Sequence, residues 1–235
     1  MAITDSTPRH ADMMIKVCGM RDPRNIADVA SLSPMLMGFI FHEGSPRNAK
    51  GLSPECVKSL PEFIRPVAVT VNKADSEIMD ICEAYGFKIV QLHGNESPEQ
   101  CRRLKESGLT VFKAIGLKDE CVDWKHVSAY ENAVDMFVFD YKCESHGGSG
   151  KKFSWDILAD YPLKVPYLLS GGIGPDDVDA IVAAMRPGMA GIDINSKFET
   201  APGIKNLSKL INFIVSLRKF NEYEPNSIPF WEKAK

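Results

Sequence analysis

The sequence predicts an α/β fold, a single (β/α)8 TIM barrel, on three observations. Short β-branched or apolar runs recur with a period of about 25 residues, a helical pattern follows each one, and no dinucleotide-type glycine turn follows the first. The runs are Ile15–Cys18, Met37–Phe41, Pro66–Val71, Ile89–Leu92, Val111–Ala114, Met136–Asp140, Tyr167–Leu169 and Gly191–Ile194. Strand and helix repeated eight times close most economically on themselves, and 235 residues is close to the length of one such barrel. An open doubly wound sheet also alternates strands and helices. Its dinucleotide turn wants three glycines, however, where Cys18-Gly19-Met20-Arg21 offers one.

Helices are expected at Asp22–Ser31, Ser53–Leu60, Asp75–Tyr85, Ser97–Ser107, Glu120–Tyr130, Trp155–Ala159, Asp176–Met185 and Asn206–Phe220. Ser53-Pro54-Glu55 and Ser97-Pro98-Glu99 place a capping hydroxyl before an N1 proline. Pro175 precedes Asp176 and Asp177 at the positive end of the next helix, and Gly86 and Gly108 stand where a left-handed residue ends one. The organisation expected is a short polar lead over 1–14, the barrel over 15–220, and a tail over 221–235 that packs over the barrel bottom or hangs free. The segment 141–152, with Gly147, Gly148 and Gly150, is long for a strand-to-helix loop and reads either as plain surface or as a lid over a ligand.

The 28 Lys and Arg against 31 Asp and Glu leave a net charge of −3, so no global positive field attracts nucleic acid or an anionic membrane. An anionic substrate must be held locally. No apolar run approaches the roughly 20 residues that span a bilayer. The cysteines at 18, 56, 82, 101, 121 and 143 are dispersed, with no CxxC and no signal-peptide pattern at the start, which predicts free thiols in a reducing cytoplasm. Cys143-x-x-His146 has ligand-like spacing but no second close pair, so no metal is expected.

Barrel chemistry sits at the C-terminal ends of the strands, so the residues that end each apolar run are the candidates. They are Cys18, His42, Asn72, His93, Asp140, Gly171-Gly172 and Asp193-Ile194-Asn195-Ser196. Cys18 reads either as core filling or, if a local positive field lowers its pKa, as a thiolate base. Asp140 follows four apolar residues at a barrel mouth, where partial desolvation suits a general acid. Arg47, in Ser45-Pro46-Arg47, reads as an ordinary surface arginine or as a planar fork for a substrate carboxylate. Ser170-Gly171-Gly172-Ile173-Gly174-Pro175 and Asn195-Ser196 occupy the loops after strands seven and eight, the usual phosphate site of these barrels.

With these residues laid out, the chain resembles the phosphoribosylanthranilate isomerase family. The matching stretches are Ile15-Lys16-Val17-Cys18-Gly19-Met20, Gly38-Phe39-Ile40-Phe41 with Ser45-Pro46-Arg47, Val69-Thr70-Val71-Asn72 and Gln91-Leu92-His93-Gly94. Phe139-Asp140, Gly147-Gly148-Ser149-Gly150-Lys151, Ser170-Gly171-Gly172-Ile173 and Gly191-Ile192-Asp193-Ile194-Asn195-Ser196 follow, running on to Glu199 and Pro202-Gly203-Ile204-Lys205. The resemblance puts the general base on Cys18, the general acid on Asp140, the substrate-orienting arginine on Arg47 and the last-strand aspartate on Asp193. Gly171, Gly172, Ile173, Asn195 and Ser196 then hold phosphate. It implies an Amadori rearrangement of a small phosphorylated substrate with no cofactor, by a monomer or homodimer. The family often has Thr at Tyr141, Ser at Asn195 and Asp at Asn206; none of these departures removes a group that the chemistry needs. Among other phosphosugar barrels, the ProFAR-type isomerases commonly use two aspartates, which Cys18 argues against, and pentose-phosphate epimerases often need a metal.

Overall fold

The computed structural model describes residues 13–117, 122–141 and 155–219. The polar lead, most of the 141–152 segment with Cys143 and His146, and the tail beyond residue 220 lie outside the described residues. Eight parallel strands form a closed barrel in sequence order: β1 (Met14–Val17), β2 (Leu36–Ile40), β3 (Arg65–Thr70), β4 (Ile89–Leu92), β5 (Thr110–Leu117), β6 (Met136–Tyr141), β7 (Tyr167–Leu169) and β8 (Met189–Ile194). β1 closes on β8 with Lys16 in register with Asp193 and Val17 with Ile194. The expected (β/α)8 barrel is therefore the observed fold.

Alternation of side chains splits the core in two. Ile15, Val17, Phe39, Ala68, Val90, Phe137, Phe139 and Ile192 face outward and pack with Ile26, Ile78, Leu104, Leu210 and Phe213 of the surrounding helices. Met14, Leu36, Val67, Val69, Ile89, Phe112, Met136, Val138, Leu168 and Ala190 face inward and fill the barrel. An apolar plug thus occupies the interior, and whatever polar residues the inward series carries must lie above it.

The helices are α1 (Pro23–Ala30), α2 (Glu55–Lys58), α3 (Asp75–Tyr85), α4 (Pro98–Glu106), α5 (Trp124–Ser128), α6 (Val178–Ala183) and α7 (Leu207–Lys219). Ser97 caps α4 as its sequence predicts, accepting from Gln100 N–H, and Gly86 ends α3 at φ 77°. Several helices are shorter than expected, α5 among them, which holds only Trp124–Ser128 of the expected 120–130. Between Pro54 and Pro61 only one turn forms, Pro54 itself takes the cap position, and Ser53 Oγ lies a long 3.4 Å from Glu55 N. The residue before a proline avoids helical geometry, which limits the far end. After β6 the described chain has a single 3-10 turn, Trp155–Leu158. α6 starts only at Val178, because the Asp177 carboxylate turns back to accept from Gly174 N–H at 2.6 Å. One element was not anticipated: an antiparallel hairpin of β9 (Glu199–Ala201) and β10 (Ile204–Lys205) beyond β8.

Candidate active site

The inward series of several strands changes from apolar to polar as it rises towards the C-terminal ends. On β1 it runs Met14, Lys16, Cys18; on β4, Ile89, Gln91, His93; on β6, Met136, Val138, Asp140; on β7, Leu168, Ser170. β8 adds Asp193, in register with Lys16. A polar layer of Lys16, Gln91 and Asp193 therefore lies on the plug, and Cys18, His93, Asp140 and Ser170 ring the mouth above it.

Within the polar layer Lys16 Nζ donates to Asp193 Oδ2 and to Gln91 Oε1, both at 2.6 Å. Lys16 is fully buried and Asp193 is 6% exposed, so the pair forms the floor of the mouth. Asp193 Oδ1 is buried without a hydrogen-bond partner. At the mouth His93 Nε2 is 3.4 Å from Asp140 Oδ2, and Ser170 Oγ is 3.4 Å from Asp140 Oδ1. The Asp140 side chain is 29% exposed, whereas Cys18 is 5% exposed. The carboxyl thus opens to the mouth, and the thiol sits just beneath its surface. Gly38 on β2 leaves room for that thiol, since a methyl group there would stand 2.6 Å from Cys18 Sγ.

Burial pushes the Cys18 thiol above its ordinary value; Lys16 and Lys205 pull it down, but Asp193 adds to the rise. The positive field anticipated around Cys18 is therefore present yet outweighed, which corrects the expectation of a lowered pKa. Burial works against the Lys16 ammonium, but Asp193 and Cys18 together hold it above the usual lysine range. Burial likewise raises Asp193 despite Lys16.

Arg47 reaches the same mouth by another route. Gly19, at φ 78°, would bring a Cβ to 2.8 Å from Arg47 Cδ and 2.7 Å from Asn195 Oδ1, so only a glycine lets β1's exit, Arg47 and Asn195 come this close. The arginine is not a free surface residue. Its Nε donates to Glu199 at 2.9 Å and its Nη2 at 2.7 Å, and Lys205 Nζ donates to Glu199 and Asn195, each at 2.7 Å. Burial alone would raise the Glu199 carboxyl, but Arg47 and Lys205 hold it below the usual range. The β9–β10 hairpin thus supplies two charged groups that fix Arg47 and Asn195.

Gly171 and Gly172 take φ 86° and 70°, two successive left-handed residues that a side chain would disfavour. Ser196 opens a 3-10 turn, Ser196–Phe198, directly after Asn195. The sequence reading brought together Cys18, Asp140, Arg47, Asp193 and both turns. It attached no chemistry to Lys16, Gln91, Glu199 or Lys205, although a lysine and a glutamine on the inward face of buried strands were visible signals.

Residues 15–216 match the family model described as N-(5′-phosphoribosyl)anthranilate (PRA) isomerase. The N-(5′-phosphoribosyl)anthranilate isomerase of Parabacteroides distasonis is 45% identical over 204 residues, covering 86% of this chain and 92% of that protein. The crystal structure of phosphoribosyl anthranilate isomerase from Thermotoga maritima is 30% identical with a TM-score of 0.77, over 88% of this chain and 99% of the other. A further phosphoribosyl anthranilate isomerase structure, in complex with reduced 1-(o-carboxyphenylamino)-1-deoxyribulose 5-phosphate, superposes with a TM-score of 0.74 at 27% identity and the same coverage. A match that spans nearly the whole barrel, from the strand bearing Cys18 to the helix beyond the hairpin, leaves one assignment: the chain belongs to the N-(5′-phosphoribosyl)anthranilate isomerase family.

Proposed function

We propose that Cys18 and Asp140 are the base and the acid of the reaction this chain catalyses, the Amadori rearrangement of N-(5′-phosphoribosyl)anthranilate to 1-(2-carboxyphenylamino)-1-deoxyribulose 5-phosphate. Asp140 gives its proton to the ribose ring oxygen. The C1′–O bond breaks towards that oxygen, and the anthranilate nitrogen lone pair forms the C1′=N iminium. The iminium is an electron sink, so the C2′ proton becomes acidic and Cys18, as thiolate, removes it. The electrons form C1′=C2′ and neutralise the nitrogen; the resulting enolamine tautomerises to the ketone. The observation that carries this reading is that a thiol directly after β1 and a carboxyl at the end of β6 lie on the inward face at the same barrel mouth.

The two anions of the substrate fix the sugar between them. The backbone amides of Gly171, Gly172 and Ile173, with Asn195 and Ser196, form the phosphate site; Gly174 N–H is already taken by Asp177. Glu199 occupies the Nε and Nη2 side of Arg47, so the other edge of its fork meets the anthranilate carboxylate. The unpartnered Asp193 Oδ1 accepts from a ribose hydroxyl. Among the described residues no helix is long and apolar enough to cross a membrane, and Cys18, Cys56, Cys82 and Cys101 are free thiols. Free thiols suit the reducing cytoplasm, where we take the chain to act, as a monomer or homodimer.

The test follows anthranilate fluorescence as substrate is supplied with the next enzyme of the pathway. Cys18→Ser and Asp140→Asn should each lower kcat by at least about 10²-fold, the usual worth of a positioned proton transfer. Turnover near that of the unaltered protein in either variant removes that residue's role.

A further inference from the structure

The roles above leave a chain of polar contacts unused, one that starts in the buried layer and ends at the mouth. Gln91, 1% exposed, sits one inward step below His93. Its Oε1 accepts from Lys16 Nζ at 2.6 Å, its Nε2 lies 3.0 Å from His93 Nδ1, and His93 Nε2 lies 3.4 Å from Asp140 Oδ2. The donors and acceptors can be assigned from one end. A lysine ammonium only donates, so the end of the amide that faces Lys16 is the oxygen. The end that faces His93 is then NH2, which also only donates. Nδ1 must present its lone pair, and the single proton of the neutral imidazole is on Nε2, towards Asp140. Turning the amide over would set two donors face to face in the buried layer, and Lys16 is itself fixed by Asp193.

The backbone of His93 is held as firmly. Its N–H donates to Thr70 O at 2.8 Å, and the buried Lys113 Nζ donates to the carbonyls on either side of it, Leu92 at 3.1 Å and Gly94 at 2.7 Å. Glu96 pairs with Lys113 at 2.9 Å.

We propose that Gln91 is a positioning residue for the acid: clamped by the Lys16–Asp193 ion pair, it locks His93 in the Nε2–H tautomer and so presents a donor to Asp140. The consequence rests on the reading of Asp140 as the acid. A donor at Nε2 makes Oδ2 an acceptor, so the transferable proton resides on Oδ1, with the Ser170 hydroxyl 3.4 Å away turned to accept from it, and the imidazole does not compete for it. The opposite tautomer would turn a lone pair to Asp140 and draw that proton away from the ribose ring oxygen. His93 takes no proton in this scheme; it directs the one that Asp140 gives.

The experiment is 15N NMR of the imidazole nitrogens in the full chain at pH about 8, where an ordinary histidine is neutral, with His93 assigned by comparison with His93→Asn. The expected signature is a proton on Nε2. In Gln91→Glu the carboxylate keeps Lys16 and accepts from Nδ1–H, so the proton should move to Nδ1. With it, kcat should fall at least about tenfold while KM stays within about threefold, as loss of proton direction without loss of binding requires. If Gln91→Glu does not fold, Gln91→Met serves: its signature should become a mixture of the two tautomers. An Nδ1–H signature in the unaltered protein, an unmoved signature in the variant, or a moved signature with unchanged kcat each overturns the proposal. The acid assignment fails separately: if Asp140→Asn retains turnover, Asp140 is not the acid, whereas the tautomer signature depends only on Gln91 and Lys16.

Discussion

Gly38 offers a way to move the proposed base, Cys18, without touching its chemistry. A Cβ built on Gly38 would lie 2.6 Å from Cys18 Sγ and 3.2 Å from Cys18 Cα, and ordinary contact begins near 3.4 Å. In Gly38→Ala the sulfur must therefore retreat by about 0.8 Å, away from β2 and out of the position from which it would reach C2′; a displacement of about 1 Å is commonly worth about 10²-fold in rate. The overpacked methyl should also cost about 1–3 kcal/mol of stability. We expect kcat to fall by about 10- to 100-fold with KM little changed, because the three atoms nearest a Gly38 Cβ all belong to Cys18. The fluorescence assay gives the rates and urea unfolding the stability. In a Cys18→Ser background the same substitution should cost less than about threefold more, since the group it displaces no longer performs the transfer. If Gly38→Ala keeps kcat within twofold, the sulfur is not where the base is needed. A full additional loss on top of Cys18→Ser would show that Gly38 acts on something else.

Lys16→Met should leave the buried Asp193 carboxylate without its partner and cost about 3–5 kcal/mol, a fall of roughly 6–20 °C in Tm by calorimetry for a domain of this size; a loss under about 1 kcal/mol would mean that the ion pair does not hold the interior. Stability should also fall in acid. Burial alone would raise Glu96, but Lys113 and the Asn72 N–H outweigh it, and Glu199 is held low in the same way by Arg47 and Lys205. The unfolded chain takes up these protons at higher pH than the fold does, so the contribution is complete above the ordinary value of 4.5 and is lost as pH drops through the depressed ones. Urea midpoints measured against pH should show it, with a shallower slope in Glu96→Gln and an unchanged slope counting against it. For activity the shift runs the other way: as base, Cys18 must be a thiolate and the fold raises its thiol, so kcat/KM should still be rising as pH passes 9.0. A plateau reached below pH 8 would contradict that.

The eight strands were legible because each is a short apolar run with turn residues at its ends, and each lies within a few residues of its expected place. The helices after β2 and β7 were overread, since an apolar spacing says nothing of how Pro54 and Pro61 confine α2 or of the Asp177 carboxylate turning back to Gly174, whereas the segment after β6 has nearly its expected length but winds as a 3-10 turn. The β9–β10 hairpin escaped because its strands have three residues and two, too few for an alternation, although Pro202-Gly203 is a turn signal. Cys18, Asp140 and the turns at 171–173 and 195–196 were visible as the residues that end apolar runs. The layer beneath them was not, because Lys16 gains its meaning from Asp193, 177 residues away and adjacent only when the barrel closes. The direction of the Cys18 shift was hidden for a related reason: burial opposes the local cations, and burial belongs to the fold rather than to the neighbouring sequence.

A crystal structure of this chain with the reduced product analogue bound tests the placement of acid and base most directly. Cys18 Sγ should lie within about 3.5 Å of C2′, and an Asp140 carboxyl oxygen within about 3.2 Å of the hydroxyl that was the ring oxygen, on the opposite side of the sugar, with phosphate against residues 171–173 and 195–196. A sulfur turned away from C2′, or a sugar lying with both groups on one face, would contradict it.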